Sequence, residues 1–216
     1  MTRARVGFRL DGVRWLGGGS GAGKTTLARR LAARHGLVVY DTDAVMLEHA
    51  RRTGADAPLL RAFEALSPDE RWLRPPEVML ETFHWYAGEG FDLVVEDLRA
   101  LVGAGDDVRV LAEGFRLLPD LVAPLAVPGS AVWLLPTPTF REAVFARRLA
   151  EQGSTWAVVS RTSDPDVALA HLLARDALFT DRLRADCARL GLPVLEVGTG
   201  VDEDVTSARV ESLLGL

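Results

Sequence analysis

The chain of 216 residues has the length of one domain of roughly 100 to 200 residues with room for an insertion, which excludes a solenoid or a multidomain machine. Its 48% apolar and 25% charged residues are the balance of a chain that buries a sizeable core, not of a disordered one. A formal charge of −5 and a pI near 5.4 argue against holding duplex nucleic acid or an anionic membrane by bulk electrostatics.

Apolar runs and the residues that punctuate them alternate between strand and helix patterns. A strand at 13–16 runs into a glycine-rich stretch, a helix at 24–35 ends at Gly36, and a second strand covers 37–40. The segment 44–103, mostly helical and broken at Gly54, at Ser67-Pro68 and at Pro75-Pro76, reads as an insertion. Three short apolar runs at 108–112, 131–135 and 193–197 read as buried strands. A helix at 138–151 follows the fourth strand. A longer one at 165–190 opens on Ser163-Asp164-Pro165-Asp166, where a capping side chain, a proline in the first turn and acidic residues favour a helix start, and Gly191 stops it. Strands separated by helical crossovers imply a parallel sheet covered on both faces. The expected fold is therefore α/β, one domain over 1–216 with five parallel strands.

No apolar run approaches the roughly 20 residues that span a bilayer, and residues 1–11 lack the apolar stretch of a secretory signal, so a cytoplasmic protein is expected. Cys187 is the only cysteine, which excludes an internal disulfide, and its helical surroundings point to packing. His49 and His84 lack the spacing of metal ligands. Leu93 to Asp97 places Glu96 and Asp97 on what reads as the solvated face of a helix. The chain contains no isoleucine, no asparagine and, among its 25 Lys and Arg residues, one lysine, Lys24. Where arginine replaces lysine so thoroughly, the remaining lysine marks a place that needs a compact ammonium on a flexible stem.

That lysine lies in Gly18-Gly19-Ser20-Gly21-Ala22-Gly23-Lys24-Thr25, which fits G-x-x-x-x-G-K-[ST] and sits between a strand and a helix start. Glycines there let successive N–H groups turn inward around phosphate oxygens, and the helix dipole adds positive charge. Residues 18–25 together with Thr26 are the expected nucleotide-binding set. Lys24 reaches the outer phosphates and the Thr25 hydroxyl ligates Mg²⁺. Asp41 and Asp43, spaced i, i+2 at the end of strand two, stand at the carboxyl edge of the sheet, where ligands of open α/β sheets bind. One carboxylate can organise a cation and the other can orient an alcohol. Asp43 is also a suitable helix cap.

In layout the whole chain resembles the small P-loop kinases, the family of shikimate kinase, adenylate kinase and chloramphenicol phosphotransferase. Besides the phosphate loop, Tyr40-Asp41-Thr42-Asp43 resembles the D-T-D of shikimate kinases. Val110 to Arg116, with Glu113-Gly114-Phe115-Arg116, resembles the D-G-F-P-R of adenylate kinases. The resemblance implies a kinase that moves the γ-phosphoryl group of ATP, with Mg²⁺, to a hydroxyl or phosphate of a small molecule. It makes Lys24, Asp43 and Arg148 catalytic, Thr25, Asp41 and Glu113 the metal side, and Asp43 and Arg116 the acceptor side. It also implies a lid over 150–165, reached from the helix before it, with Arg147, Arg148 and Arg161 as its candidate cations. Residues 198–200 take the adenine position. The aromatic residues Trp72, Phe83, Trp85, Tyr86 and Phe91 belong to the acceptor-binding insertion, most of them as core on a helix face. Leu47 stands where shikimate kinases carry a glutamate, which points away from shikimate. N-K-x-D and L-S-G-G-Q are absent, which excludes a Ras-type switch and a transporter ATPase. A nucleotide-gated regulatory protein and a polynucleotide end kinase remain open, nucleic acid being disfavoured by the net acidity.

Overall fold

The computed structural model describes residues 9–105, 107–152 and 159–216. Five parallel strands form one sheet in the order β2-β3-β1-β4-β5: β1 (Val13–Gly18), β2 (Val38–Asp41), β3 (Val110–Glu113), β4 (Ala131–Pro136) and β5 (Val194–Val197). Ten helices surround it among the described residues: α1 (Lys24–His35), α2 (Met46–Arg52), α3 (Pro58–Ala65), α4 (Pro68–Trp72), α5 (Pro76–Thr82), α6 (Phe91–Val102), α7 (Pro119–Val122), α8 (Pro138–Gln152), α9 (Pro165–Leu190) and α10 (Glu203–Leu214). The expected α/β architecture is the observed one.

Period-two alternation in the central strands separates two cores. Trp15, Val110, Ala112, Trp133 and Leu135 face α6, α7 and α9, where Leu98, Val122, Phe179 and Cys187 meet them. Leu16, Leu111, Val132 and Leu134 face the other way, onto Leu27, Ala28 and Leu31 of α1 and Val210 and Leu214 of α10. Cys187 is buried there, its thiol pushed up to about 12 by burial, so it packs and stays protonated. A third, smaller core joins Trp72 of α4 and Met79 of α5 to Ala168 and Leu172 of α9.

Caps set the ends where the sequence places them. Ser67 and Glu70 close a reciprocal capping box on α4, with Pro68 in its first turn. Asp164 accepts from the Val167 amide at 3.2 Å to start α9, and Gly191 ends it with φ 65. Three expectations differ. Residues 83–90 form turns instead of continuing a helix: α5 ends at Thr82, and from the turns Phe83 and Tyr86 pack on each other and on Phe115. The helices α7 and α10 are additional. Among the described residues no helix is long and apolar enough to cross a membrane.

Candidate functional site

β1 ends in the phosphate-loop motif and α1 begins at its lysine. At Gly18 the backbone has φ 133, and a Cβ would lie 2.0 Å from the Leu134 carbonyl oxygen, so β4 leaves room only for glycine. The Gly19 amide donates to that carbonyl at 3.0 Å, anchoring the loop to the sheet. Among the described residues, the amides of Ser20, Gly21, Gly23, Lys24 and Thr25 donate to no backbone carbonyl outside regular elements. They are the donors that a helix start leaves for an anion. Lys24 is 7% exposed and its Nζ donates to the Gly19 carbonyl at 2.9 Å. Burial pulls its pKa down, while the negative charges of Asp43 and Glu113 oppose that.

The register of the sheet brings the carboxylates beside the loop. Glu113 is the β3 partner of both Leu16 in β1 and Asp41 in β2. Glu113 is 1% exposed, its Oε1 has no hydrogen-bond partner, and the Thr25 hydroxyl lies beside it. Burial lifts its pKa, and Thr25 and Lys24 pull the other way. A buried carboxylate oxygen without a partner, next to a threonine hydroxyl, is a donor set that suits a hydrated divalent cation.

Asp41 has a second occupation. Its Oδ1 accepts from the amides of Asp43 at 2.9 Å and Ala44 at 3.2 Å, so it builds the turn that presents Asp43. Asp43 opens onto the cavity described below, although the cleft around it thins its hydration. That desolvation raises its pKa, against the pull of Lys24. It does not cap the following helix: α2 starts at Met46 behind Val45, without a side-chain cap. Glycine is required again at Gly114, with φ 139, where a Cβ would fall 1.8 Å from Thr42 Oγ1.

Two cavities meet at the loop. The larger, about 750 Å³, runs from Lys24, Thr25 and Asp43 to the aromatic residues Phe63, Trp72, Phe83 and Trp85. The second, about 510 Å³, lies between Phe140 and Val144 of α8 and residues 198–200 after β5, the position expected for the base. Both are lined by residues 21–23, Thr26 and Arg148. Of the arginines assigned to a lid, Arg148 borders both cavities. Arg147 borders only the second and stands 3.9 Å from Glu151. Arg161 is exposed and borders neither. Gly153, Ser154, Thr155 and Trp156 of the expected lid lie outside the described residues.

The structure places Arg116 differently from its expected acceptor role. It is 2% exposed, does not line the large cavity, and packs 4.0 Å from the Trp85 ring centroid. Its guanidinium donates to the carbonyls of Thr42 and Gly90, both at 3.2 Å, and to His49 Nδ1 at 3.0 Å; burial pushes its pKa down to about 10. A lone pair on Nδ1 fixes the proton of His49 on Nε2, which donates to Asp97 at 2.8 Å. Asp97 also accepts from the Tyr40 hydroxyl at 2.7 Å and from Arg52 at 3.2 Å. Asp97 is thus no member of a solvated face: it anchors a network that braces the 41–44 turn from behind. Glu48, His49 and Asp97 have the proximity of metal ligands, but Arg52 and Arg116 already supply the cations there.

Sequence reasoning also missed Arg175 and Asp176, a buried pair on α9 that lines the large cavity, joined at 2.7 Å. Tyr86 donates to the same carboxylate at 3.0 Å and stacks on Phe179 at 3.7 Å. No local pattern announces a pair inside a helix whose third partner lies 90 residues away.

No protein-family model and no curated protein matches the chain. Solved structures similar to it include a gluconokinase from Sinorhizobium meliloti, at 16% identity over 96% of this chain and 93% of that one, with a TM-score of 0.44. Another is the shikimate kinase from Acinetobacter baumannii in complex with shikimate, at 20% identity over 94% and 93%, TM-score 0.46. A third is an uncharacterized protein from Eubacterium ventriosum, at 13% identity over 94% and 97%, TM-score 0.44. The similar folds thus include two small-molecule kinases.

Proposed function

We propose that the protein is a small-molecule kinase that transfers the γ-phosphoryl group of ATP to an alcohol. The observation that carries this reading is the junction of two cavities at one phosphate loop, with residues 21–23, Thr26 and Arg148 on the shared wall and Lys24 and Asp43 on the acceptor side. A hydrolase that acts on nucleotide alone has no use for a second, larger chamber opening onto the same phosphates.

The chain's own groups account for the chemistry. The loop amides and Lys24 hold the phosphates, and Arg148 meets the charge that develops between the two chambers. Thr25 and Glu113 are the groups that would hold Mg²⁺, with Asp41 beside Glu113 in the register. The ion, when bound, neutralises phosphate charge. Asp43 accepts the hydrogen bond of the acceptor hydroxyl. As the oxygen–phosphorus bond to the acceptor forms, the bond from phosphorus to the β,γ-bridging oxygen breaks. The hydroxyl proton passes to Asp43 and on to water, leaving ADP and a phosphomonoester. The acceptor role expected of Arg116 passes to support of the turn that carries Asp43.

The test is incubation with ATP, Mg²⁺ and a metabolite extract, read by mass spectrometry for new phosphomonoesters. The account expects at least one product, and a loss of at least about a hundredfold in its rate with Asp43→Asn. ATP hydrolysis with no phosphorylated product across such extracts would overturn it in favour of a nucleotide-gated regulator.

A further inference from the structure

The far end of the large cavity specifies more than an alcohol. Its walls are the rings of Phe63, Trp72, Phe83 and Trp85, closed on the α2 side by Met46 and Leu47. Leu47, 76% exposed, puts an apolar side chain at the mouth. Surfaces of this kind take up apolar and planar groups, by burial and by ring packing.

The cations at that end are already engaged. Arg71 directs Nε and Nη2 at the carbonyls of Phe63 and Glu64, at 3.0 and 2.8 Å, with its guanidinium 5.0 Å from the Phe63 ring centroid. Arg175 directs Nε and Nη2 at Asp176, at 3.0 and 2.7 Å, and its guanidinium lies 4.9 Å from the Phe83 ring centroid. In each, the Nε–Nη2 edge, one of the two that grip a carboxylate bidentately, is occupied. The carboxylates of Glu64 and Asp176 line the same cavity, one for each of these cations, and Asp176 pairs with Arg175 at 2.7 Å. An anionic acceptor would enter without a matching field.

One polar group in this wall has no partner. His84 is 3% exposed and lies among rings, its centroid 5.1 Å from that of Phe63, 4.9 Å from Phe83 and 4.4 Å from Trp85. Its Nδ1 makes no hydrogen bond. Burial, followed by the nearby Arg116 charge, pushes its pKa down to about 4, so the imidazole is neutral and keeps one nitrogen lone pair. A neutral imidazole that lines the cavity within an apolar wall suits a ligand that brings a single hydrogen-bonding substituent.

We propose that the acceptor is an uncharged alcohol with a planar, apolar body, seated among Phe63, Phe83 and Trp85 with a polar substituent on His84 and its reacting hydroxyl toward Asp43. This rests on the kinase reading of the same site and narrows it to a substrate class.

The test uses matched probes that differ in one charge: tryptophol against indole-3-lactate, and 2-phenylethanol against 3-phenyllactate. Each is titrated into the full chain with ADP and Mg²⁺ and followed by calorimetry. The uncharged member of each pair is expected to bind at least about tenfold more tightly. Phe63→Ala, a change at a half-buried ring, should weaken it several-fold while ADP affinity stays constant. Equal or tighter binding of the carboxylates overturns the inference, as does failure of both uncharged probes to bind up to their solubility limits. ADP binding in the same titrations separates the two readings: if ADP binds and the acceptor preference fails, only the substrate class falls.

Discussion

Asp43 and Glu113 face each other's charge across Lys24, and both are lifted by desolvation above the ordinary carboxyl values of 3.8 and 4.5. A carboxyl raised in the folded state keeps its proton after the unfolded chain has released it. Stability therefore falls as pH climbs from the ordinary values through the raised ones, and stays reduced above them. Removing the Asp43 charge should relieve that loss. In the nucleotide-free protein, Asp43→Asn is expected to melt at a higher temperature than the parent chain near neutral pH, with the difference closing in acid below both values. A lower melting temperature for the variant at neutral pH would mean that Asp43 is held by stabilising partners and is not kept in reserve for a substrate. The residues most legible in the sequence were those whose proposed roles rest on local spacing: the glycine loop, its lysine, and the two aspartates at the end of β2. Arg116 was legible as a residue near the site but not in its orientation, because its partners Thr42, His49 and Gly90 come from distant segments. The same holds for Asp97, whose partners Tyr40 and His49 lie 57 and 48 positions away.

At the scale of elements, the two faces of the sheet are covered by different means. α1 and α10 are joined by exposed ion pairs, Arg30 to Asp204 and Arg34 to Glu211, and by apolar side chains beneath them. Exposed pairs contribute about 0–1 kcal/mol, whereas deleting a fully buried leucine side chain costs about 2–5 kcal/mol through lost transfer energy and the cavity left behind. Leu214, 0% exposed, should dominate. Leu214→Ala is expected to lower stability by about 3 kcal/mol, or roughly 9 °C for a chain of this length, and Arg34→Ala by less than about 1 kcal/mol. Thermal melts of the two variants check this ranking, and a larger loss from Arg34→Ala would reverse it. The helix itself escaped the sequence reading although its start is well marked, with Asp202 as cap and Glu203 and Asp204 in the first turn. Residues 83–90 misled in the opposite sense: their aromatic spacing matches a helix face, yet Phe83 and Tyr86 meet each other and Phe115 from a run of turns.

For the whole molecule, five strands were legible in order because each is short, apolar and bounded by turn residues. Their spatial order, with β3 between β2 and β1, follows from pairing over long separations that no local pattern records. That order gives the site its geometry, since it sets Asp41, Glu113 and the phosphate loop on adjoining strand ends. Two chambers open onto that loop. Donor and acceptor would thus share a single set of phosphate contacts, with residues 21–23, Thr26 and Arg148 at their junction. The most direct measurement is calorimetric titration of the full chain with ATP and Mg²⁺, alongside Lys24→Ala. Saturable binding by the parent chain and a loss of at least about tenfold in affinity in the variant, with the melting temperature retained, are the predicted results. No binding by the parent chain, or equal affinity in both, would contradict the account.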